Sequence, residues 1–298
     1  MKKIAVLGSS NLDLVFTTTQ LPQAGETVTG QDFVMHLGGK GANQAVALQK
    51  LGADVTFFTA VGQDAFATEI LTGLSATGLK VVPHRSTQPT GVAQINLYEG
   101  DNRILVIPGA NHDWPASYLK RIAEQIADFD YFVLQLEIPL PVVTRLCQII
   151  RQFPNKKIIL NPAPAQVLPP ELWPLVDYLT PNEHELHLLG RRGTTAELLQ
   201  SSPPQIVVTK GAAGASYFDR HQQKVMTVPA LANLKVVDTT GAGDTFNGAF
   251  VYQLVQGAEL AAALAFANAA AGLATTKVGA QAGMPSAAAV KEAQSKHS

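Results

Sequence analysis

Residues 238–246, DTTGAGDTF, set two glycines and an alanine directly ahead of an acid, Asp244, and then run into the helical pattern Phe246, Phe250, Val251, Leu254, Val255. The extended lead-in at 235–237 has to turn at Gly241, Ala242 and Gly243 before that helix begins. Glycines permit the tight backbone, and the unpaired N–H groups of a helix start attract anions. A carboxylate ordinarily avoids such a place. An acid beside an anion-binding turn therefore points to proton abstraction during phosphoryl transfer. Taken alone, the same residues also describe an acid-capped helix, and the rest of the chain has to decide.

Outward from this turn, short apolar runs alternate with helical patterns. The runs lie at 4–7, 55–61, 131–136, 158–160 and 206–208. Such alternation predicts an α/β fold, a parallel sheet covered by helices on both faces in a three-layer body. One helix is expected over 41–51, stopping at Gly52, and another from an Asp64 N-cap to Gly78. Two stretches, about 12–37 and 90–108, alternate apolar and polar residues with no helix between, as antiparallel strands do. Gly100, Asp101 and Asn102 supply the expected turn of the second. Together they predict a small β lid inserted in a single domain spanning 1–298, able to close over a ligand and exclude water. The Ala-rich segment 258–274 is interrupted by Glu259 and Asn268, so it reads as a helix packed closely on a sheet and not as a membrane span.

With 298 residues, 46% of them hydrophobic, the chain can bury a large core. A net charge of -1 gives no electrostatic reason to expect nucleic acid or a membrane surface, which leaves small molecules as partners. The single cysteine, Cys147, rules out an intrachain disulfide and suits a reducing cytoplasm.

Four further clusters carry polar groups to strand ends, where open α/β sheets bind ligands. GGKGAN at 38–43 enters a helix. It lacks the Ser or Thr of a Walker loop and the third glycine of a dinucleotide fingerprint, and it offers Gly38 and Gly39 for close approach with Lys40 and Asn43 as donors to a polyhydroxy ligand. A structural helix start explains it equally well. Asn11 and Asp13 follow the first strand and Glu137 follows another; turn formation and a surface salt bridge are their plainer readings. In TPNEHE at 180–185, Asn182 and Glu185 could order water around a phosphate-bound magnesium ion, while His184 and His187 lack the HExxH spacing and read as solvated helix residues. TKGAAG at 209–214 turns on two glycines, as a nucleotide contact or a common β-turn does.

Taken in order, GSSNLD, PGETVTG, GGKGANQAVALQKLGA, TGVA, PGAN, QLEIP, NPAPA, TPNE, TKGAAG, DTTGAGDTFNGAF and KVGAQ closely resemble the PfkB carbohydrate kinase family across nearly the whole chain. The DTxGAGD signature is specific to that family, and GGKGANQA with the early Asn and Asp resembles its ribokinase branch. The resemblance implies ATP-dependent phosphorylation of the 5-hydroxyl of D-ribose, with Mg2+ and K+, on an α/β body whose β lid often forms a homodimer. It assigns Asn11, Asp13, Gly38, Gly39, Lys40, Asn43 and Glu137 to the sugar. Asp244 becomes the general base and the 241–243 amides the anion hole. Asn182, Thr209, Gly211, Gly214, Gly243 and Asn268 would meet the nucleotide. Asp238, Thr240, Ala274, Lys277, Gly279 and Gly283 would hold potassium, mostly through carbonyls. A deoxyribose, other pentose or nucleoside kinase, or a sugar sensor without catalysis, are the rival expectations.

Three departures from the family pattern stand out. Gly283 replaces a common serine, so the ion site is expected to lose an oxygen that Gly283→Ser would restore. Asn268 replaces a histidine near adenine. Residues 190–204 are shorter, as if part of a helix were missing.

Overall fold

The computed structural model describes residues 2–99 and 101–296. Among them the strands are β1 (Ile4–Leu7), β2 (Asn11–Thr17), β3 (Asp32–Gly38), β4 (Val55–Val61), β5 (Lys80–Arg85), β6 (Gly91–Tyr98), β7 (Asp101–Ile107), β8 (Tyr131–Gln135), β9 (Lys157–Asn161), β10 (Tyr178–Leu179), β11 (Gln205–Thr209), β12 (Ala215–Asp219) and β13 (Lys224–Val228). The helices are α1 (Lys40–Lys50), α2 (Ala65–Ala76), α3 (Ala116–Ala123), α4 (Leu140–Ile150), α5 (Glu183–Leu188), α6 (Thr195–Ser201), α7 (Ala242–Val255), α8 (Leu260–Ala274) and α9 (Ala287–Lys296).

Nine strands form the main sheet in the order β13-β12-β11-β10-β9-β8-β1-β4-β5. It is parallel from β5 to β11, and β12 and β13 add an antiparallel edge. Along β1, Ile4 and Val6 enter one core while Ala5 and Leu7 enter the other. A period of two with both faces apolar requires helices on both sides, and they are there. Helices α1, α2, α7, α8 and α9 cover the first face, and α3 to α6 the second. From β1 the chain builds outward to β4 and β5, then returns to β8 on the other flank, so the strand order switches between β1 and β8. Ligands bind at such a crevice.

The second sheet, β3-β2-β6-β7, is the expected lid. Its two antiparallel hairpins are joined by a parallel pairing of β2 with β6, which the alternation pattern alone did not reveal. Of the expected turn residues, Gly100 lies outside the described residues, whereas Asp101 and Asn102 already belong to β7 and pair with Tyr98 and Leu97.

Helix boundaries follow their punctuation. Asp64 accepts a hydrogen bond from Ala67 N at 2.9 Å to cap α2, and Gly52 and Gly78 take the left-handed backbone after α1 and α2. Helix α6, which fills the short 190–204 region, has seven residues and a Thr194–Glu197 capping box. Two expectations are corrected. Residues 235–237 form no strand: Val236 and Val237 are exposed, and the N–H groups of Val237 and Asp238 both go to Thr275 O. The Ala-rich helix α8 packs chiefly on α7, its small Ala263, Ala267 and Ala270 allowing a close approach, and meets the sheet mainly at its β13 edge.

Candidate active site

The sugar-side residues converge at the β1/β8 crevice. Asn11 opens β2 after β1, and Asp13 lies two residues further on the same strand. A Cβ on Gly38 would fall within 2.3 Å of the Asp13 carboxylate, so only glycine leaves that acid its place. Gly39, with φ of 88°, brings the start of α1 against the backbone of Ser10 and Asn11. Glu137, following β8, accepts from Ser9 Oγ at 2.5 Å and from Lys40 N at 2.8 Å, which fixes one carboxylate oxygen on the α1 N-terminus.

Asp244 is buried in the first turn of α7, its Oδ2 accepting from Asn43 Nδ2 at 2.9 Å and its Oδ1 from Gln44 Nε2 at 3.0 Å. Three acids thus share the crevice. Burial, and then the neighbouring charges of Glu137 and Asp244, push Asp13 up to about 7. Lys40 moves the other way from what its surroundings alone would dictate. Burial works against its charge, but Asp244, Glu137 and Glu185 together hold it above the usual ammonium value. The cleft is a ring of carboxylates around one cation, suited to hydroxyl groups that both donate and accept.

On the other side of the same turn lies a cavity of about 510 Å³, lined by Thr209, Gly211, Gly214, Ala242, Gly243 and Asn268 among others. Gly211 and Gly214 have φ of 53° and 86°, so the β11–β12 turn presents bare backbone there. Asn268 donates its Nδ2 to the carbonyls of Val228 and Pro229 and therefore shows its oxygen to the cavity. Asn182 stands beside it through a bridge to Thr209 but spends its side-chain oxygen capping α5, in a capping box with Glu185. That box accounts for the Asn182/Glu185 pair without any metal, yet it occupies only Oε2 of Glu185, whose charge also adds to the field at Lys40. His184 and His187 are exposed, as expected.

The expected anion hole is at the seam. Gly241 is the α7 N-cap in the left-handed region (φ 75°), and a Cβ there would meet Ala280 Cα at 2.8 Å. Among 241–243, the Ala242 N–H turns back onto Thr239 O at 3.2 Å, whereas Gly243 is open to solvent.

The DTTGAGD and KVGAQ loops meet here, as the potassium expectation requires. Asp238 accepts from Thr240 N and from Gly279 N, each at 2.8 Å. Burial raises the cost of its charge, but these bonds outweigh it and hold Asp238 below the usual carboxylate range. These bonds bring Asp238, Thr240 and Gly279 together, and Gly283 lies against Ala274 O; carboxylate and carbonyl oxygens are the kind of donor that suits a hard monovalent cation. One expectation fails. A Cβ on Gly283 would lie 2.2 Å from Ala274 O, so in this backbone a serine would displace a carbonyl from the set before adding a hydroxyl to it.

Sequence reasoning passed over two amides. Gln44 donates to Asp244 and, at 3.2 Å, to Asn161 Oδ1, and it accepts from Gln135 Nε2 at 2.7 Å. Gln281, in the potassium loop, donates to Asn43 Oδ1 at 3.0 Å. Gln44 sits one residue past Asn43 in GANQ, but its partner and that of Gln281 lie some 200 or more positions away, so neither role shows in the sequence.

Comparison with known proteins agrees with this geometry. The pfkB family carbohydrate kinase model matches residues 1–287. A ribokinase of Bacillus subtilis is 43% identical over 295 residues, covering 98% of this chain and 99% of that protein. A deoxyribokinase of Salmonella typhi is 36% identical, with 95% of each chain covered. The solved structure of Arabidopsis thaliana ribokinase complexed with ribose and ATP superposes with a TM-score of 0.89 at 31% identity, covering 98% of both chains. Fold, site and sequence agree, and the chain belongs to the pfkB family of carbohydrate kinases.

Proposed function

We propose that this protein transfers the γ-phosphoryl group of ATP to the 5-hydroxyl of D-ribose. One observation carries the reading: the first turn of α7 lines the nucleotide cavity with Ala242 and Gly243, and the next residue, Asp244, is buried on the sugar side. A hydroxyl held by Asn11, Asp13, Lys40, Asn43 and Glu137 meets the γ-phosphorus across that turn. As the O5–P bond forms and the bond from phosphorus to the β-phosphate oxygen breaks, the O5 proton passes to Asp244 and ADP leaves. Amides of the 241–243 turn receive the charge on the transferred group. Asn43 and Gln44 fix Asp244 from both sides, so no reorganisation is needed at that moment.

Glu185, whose second carboxylate oxygen is left over by the α5 capping box, would hold an Mg2+ ion carried by the nucleotide, whose charge would offset that of the phosphates. The oxygens of Asp238, Thr240, Ala274, Lys277 and Gly279 would hold K+, which would supply fixed positive charge beside the anion hole, and Gly283 leaves Ala274 O clear. The enzyme works in the cytoplasm, as a homodimer joined through its lid.

A second reading, deoxyribokinase, is supported by the Salmonella typhi relative. The test is ADP release with ATP and a panel of ribose, 2-deoxyribose, other pentoses and nucleosides. Ribose is expected to give the highest kcat/KM. A higher value for 2-deoxyribose would transfer the assignment, and ADP release independent of any sugar would end it.

A further inference from the structure

Asn111 lies in the GAN segment where the chain leaves lid strand β7 and re-enters the body, and it is buried to 1% exposure. Its backbone is fixed on both sides, N donating to Pro108 O at 3.0 Å and O accepting from Trp114 Nε1 at 3.0 Å. Its side chain makes three bonds. Oδ1 accepts from Ser10 N at 2.8 Å; Nδ2 donates to Ser10 O at 3.1 Å and to Asn11 Oδ1 at 2.7 Å.

The order of donors in this chain is forced. A backbone N–H can only donate, so the Asn111 atom facing Ser10 N is the oxygen, and the other atom is the NH2 group. That NH2 faces Asn11, so the Asn11 atom it meets is an oxygen. Among the described residues the Asn11 Nδ2 then has no hydrogen-bond partner, and Asn11 and Asp13, two apart on β2, lie on the same face of the strand. Gly91 keeps the contact open, since a Cβ there would fall 2.2 Å from Asn111 Nδ2 and 2.4 Å from Asn11 Oδ1.

We propose that Asn111 is a positioning residue for sugar recognition, setting the amide of Asn11 so that it presents a donor beside the Asp13 acceptor. A sugar hydroxyl that donates to Asp13 then finds a donor for its own lone pair, whereas a flipped Asn11 amide would face it with two acceptors. The proposal rests on the assignment of Asn11 to the sugar.

The test is a double-mutant cycle on ribose KM with ATP KM, kcat and thermal unfolding measured alongside. Asn111→Asp keeps the bond from Ser10 N but cannot donate to Asn11 Oδ1. It is expected to raise ribose KM about tenfold, the worth of a hydrogen bond or slightly more, with ATP KM nearly unchanged. In an Asn11→Ala background the same change should add nothing, because Asn111 acts only through Asn11. Gly91→Ala, which wedges the pair apart, should match Asn111→Asp. Additive losses in the cycle, or equal rises in ribose and ATP KM, would overturn the proposal. Wild-type ribose KM in Asn11→Ala would instead remove the sugar assignment itself. A readout independent of the Asn111 variant is the side-chain amide NMR signal of Asn11, assigned by its loss in Asn11→Ala. It should shift when ribose alone is titrated into the wild-type protein, and a signal that stays put at saturating ribose would equally sink the idea.

Discussion

Asp244 has an amide donor on each carboxylate oxygen, and this decides what a substitution there does. An asparagine would turn one NH2 group toward Asn43 or Gln44. Neither can turn to accept it without losing another bond, because Gln281 donates to the oxygen of Asn43 and Gln44 Nε2 also donates to Asn161 Oδ1. Asp244→Asn is therefore expected to cost stability by about one hydrogen bond, roughly 1 kcal/mol, as well as turnover by about two to four orders of magnitude. Single-turnover rates at saturating ATP and ribose, with ribose affinity from calorimetry, check it; a near wild-type rate would dismiss Asp244 as the base. Asp13 gives a pH signature. Folded, it holds its proton up to about pH 7, against an ordinary value of 3.8. Between those limits the folded state binds more protons than the unfolded one, so stability falls as pH rises through the window and levels off above it. Asp13→Asn should thus raise the melting temperature of the sugar-free protein by a few degrees at pH 8 and hardly at pH 4, while weakening ribose far more than ATP. An equal melting shift at both pH values would contradict the assignment. Functional carboxylates held against one another are a common place for stability to be lost to activity.

At the scale of elements, the two loops at the α7 N-terminus behave as one. Thr275 O takes both N–H groups of 237 and 238, Asp238 takes Gly279 N, and Gly241 touches Ala280. On the proposed reading, a cation at this seam would stiffen the anion-hole turn and leave the sugar alone. Activity in a bulky organic cation is expected to be low and to rise on potassium titration, with ribose KM little changed; full activity without any small monovalent cation would refute the site. Gly283→Ser should demand more potassium, the reverse of what the family pattern suggests, because Ala274 O is in its way. Gly241→Ala should lose activity at every potassium concentration. Elements whose signals are local were legible in the sequence: Asp64 as a cap, Gly52 and Gly78 as stops, the two-residue alternation of the lid. What was not legible depends on distant partners. Strands β10 and β13 are too short or too exposed to show a period, 235–237 looks extended without any strand to join, and the roles of Gln44 and Gln281 appear only when 44 meets 244 and 281 meets 43. The candidate site was readable as a set of motifs because each lies at a strand end, but not as a network, since amide orientation is settled across the sheet.

For the whole molecule the question is what the lid covers. Directly opposed residues share a face, so Asp13 lies on one face with His36, Ala93 and Val106. The next row out on that face is Val34, Val15, Ile95 and Ile104. The row holding Asp13 is enough to close over a sugar; the outer row is wholly apolar, with Val34 43% and Ile104 55% exposed. The opposite face is covered only in part: Leu14 and Leu37 pack on the core, with Leu37 reaching Gly73 of α2, while Phe33, Met35, Leu105 and Ile107 on that face stay exposed. An apolar outer row on the ligand-facing side, with strand edges at β3 and β7, matches a second copy of the same sheet, whose own outer row is its complement under twofold symmetry. Light scattering of the wild-type protein should then give twice 31.6 kDa at micromolar concentration. Val34→Lys with Ile104→Lys, two charges on that row and far from Asp244, should give monomers whose melting is nearly unchanged but whose ribose KM rises while ATP KM does not, because a lid without its partner closes less often. If the wild-type protein is monomeric, or if the double lysine variant stays dimeric, the lid is not the interface. If monomers bind ribose as well as dimers do, the second copy stabilises the sheet but has no part in closing the site.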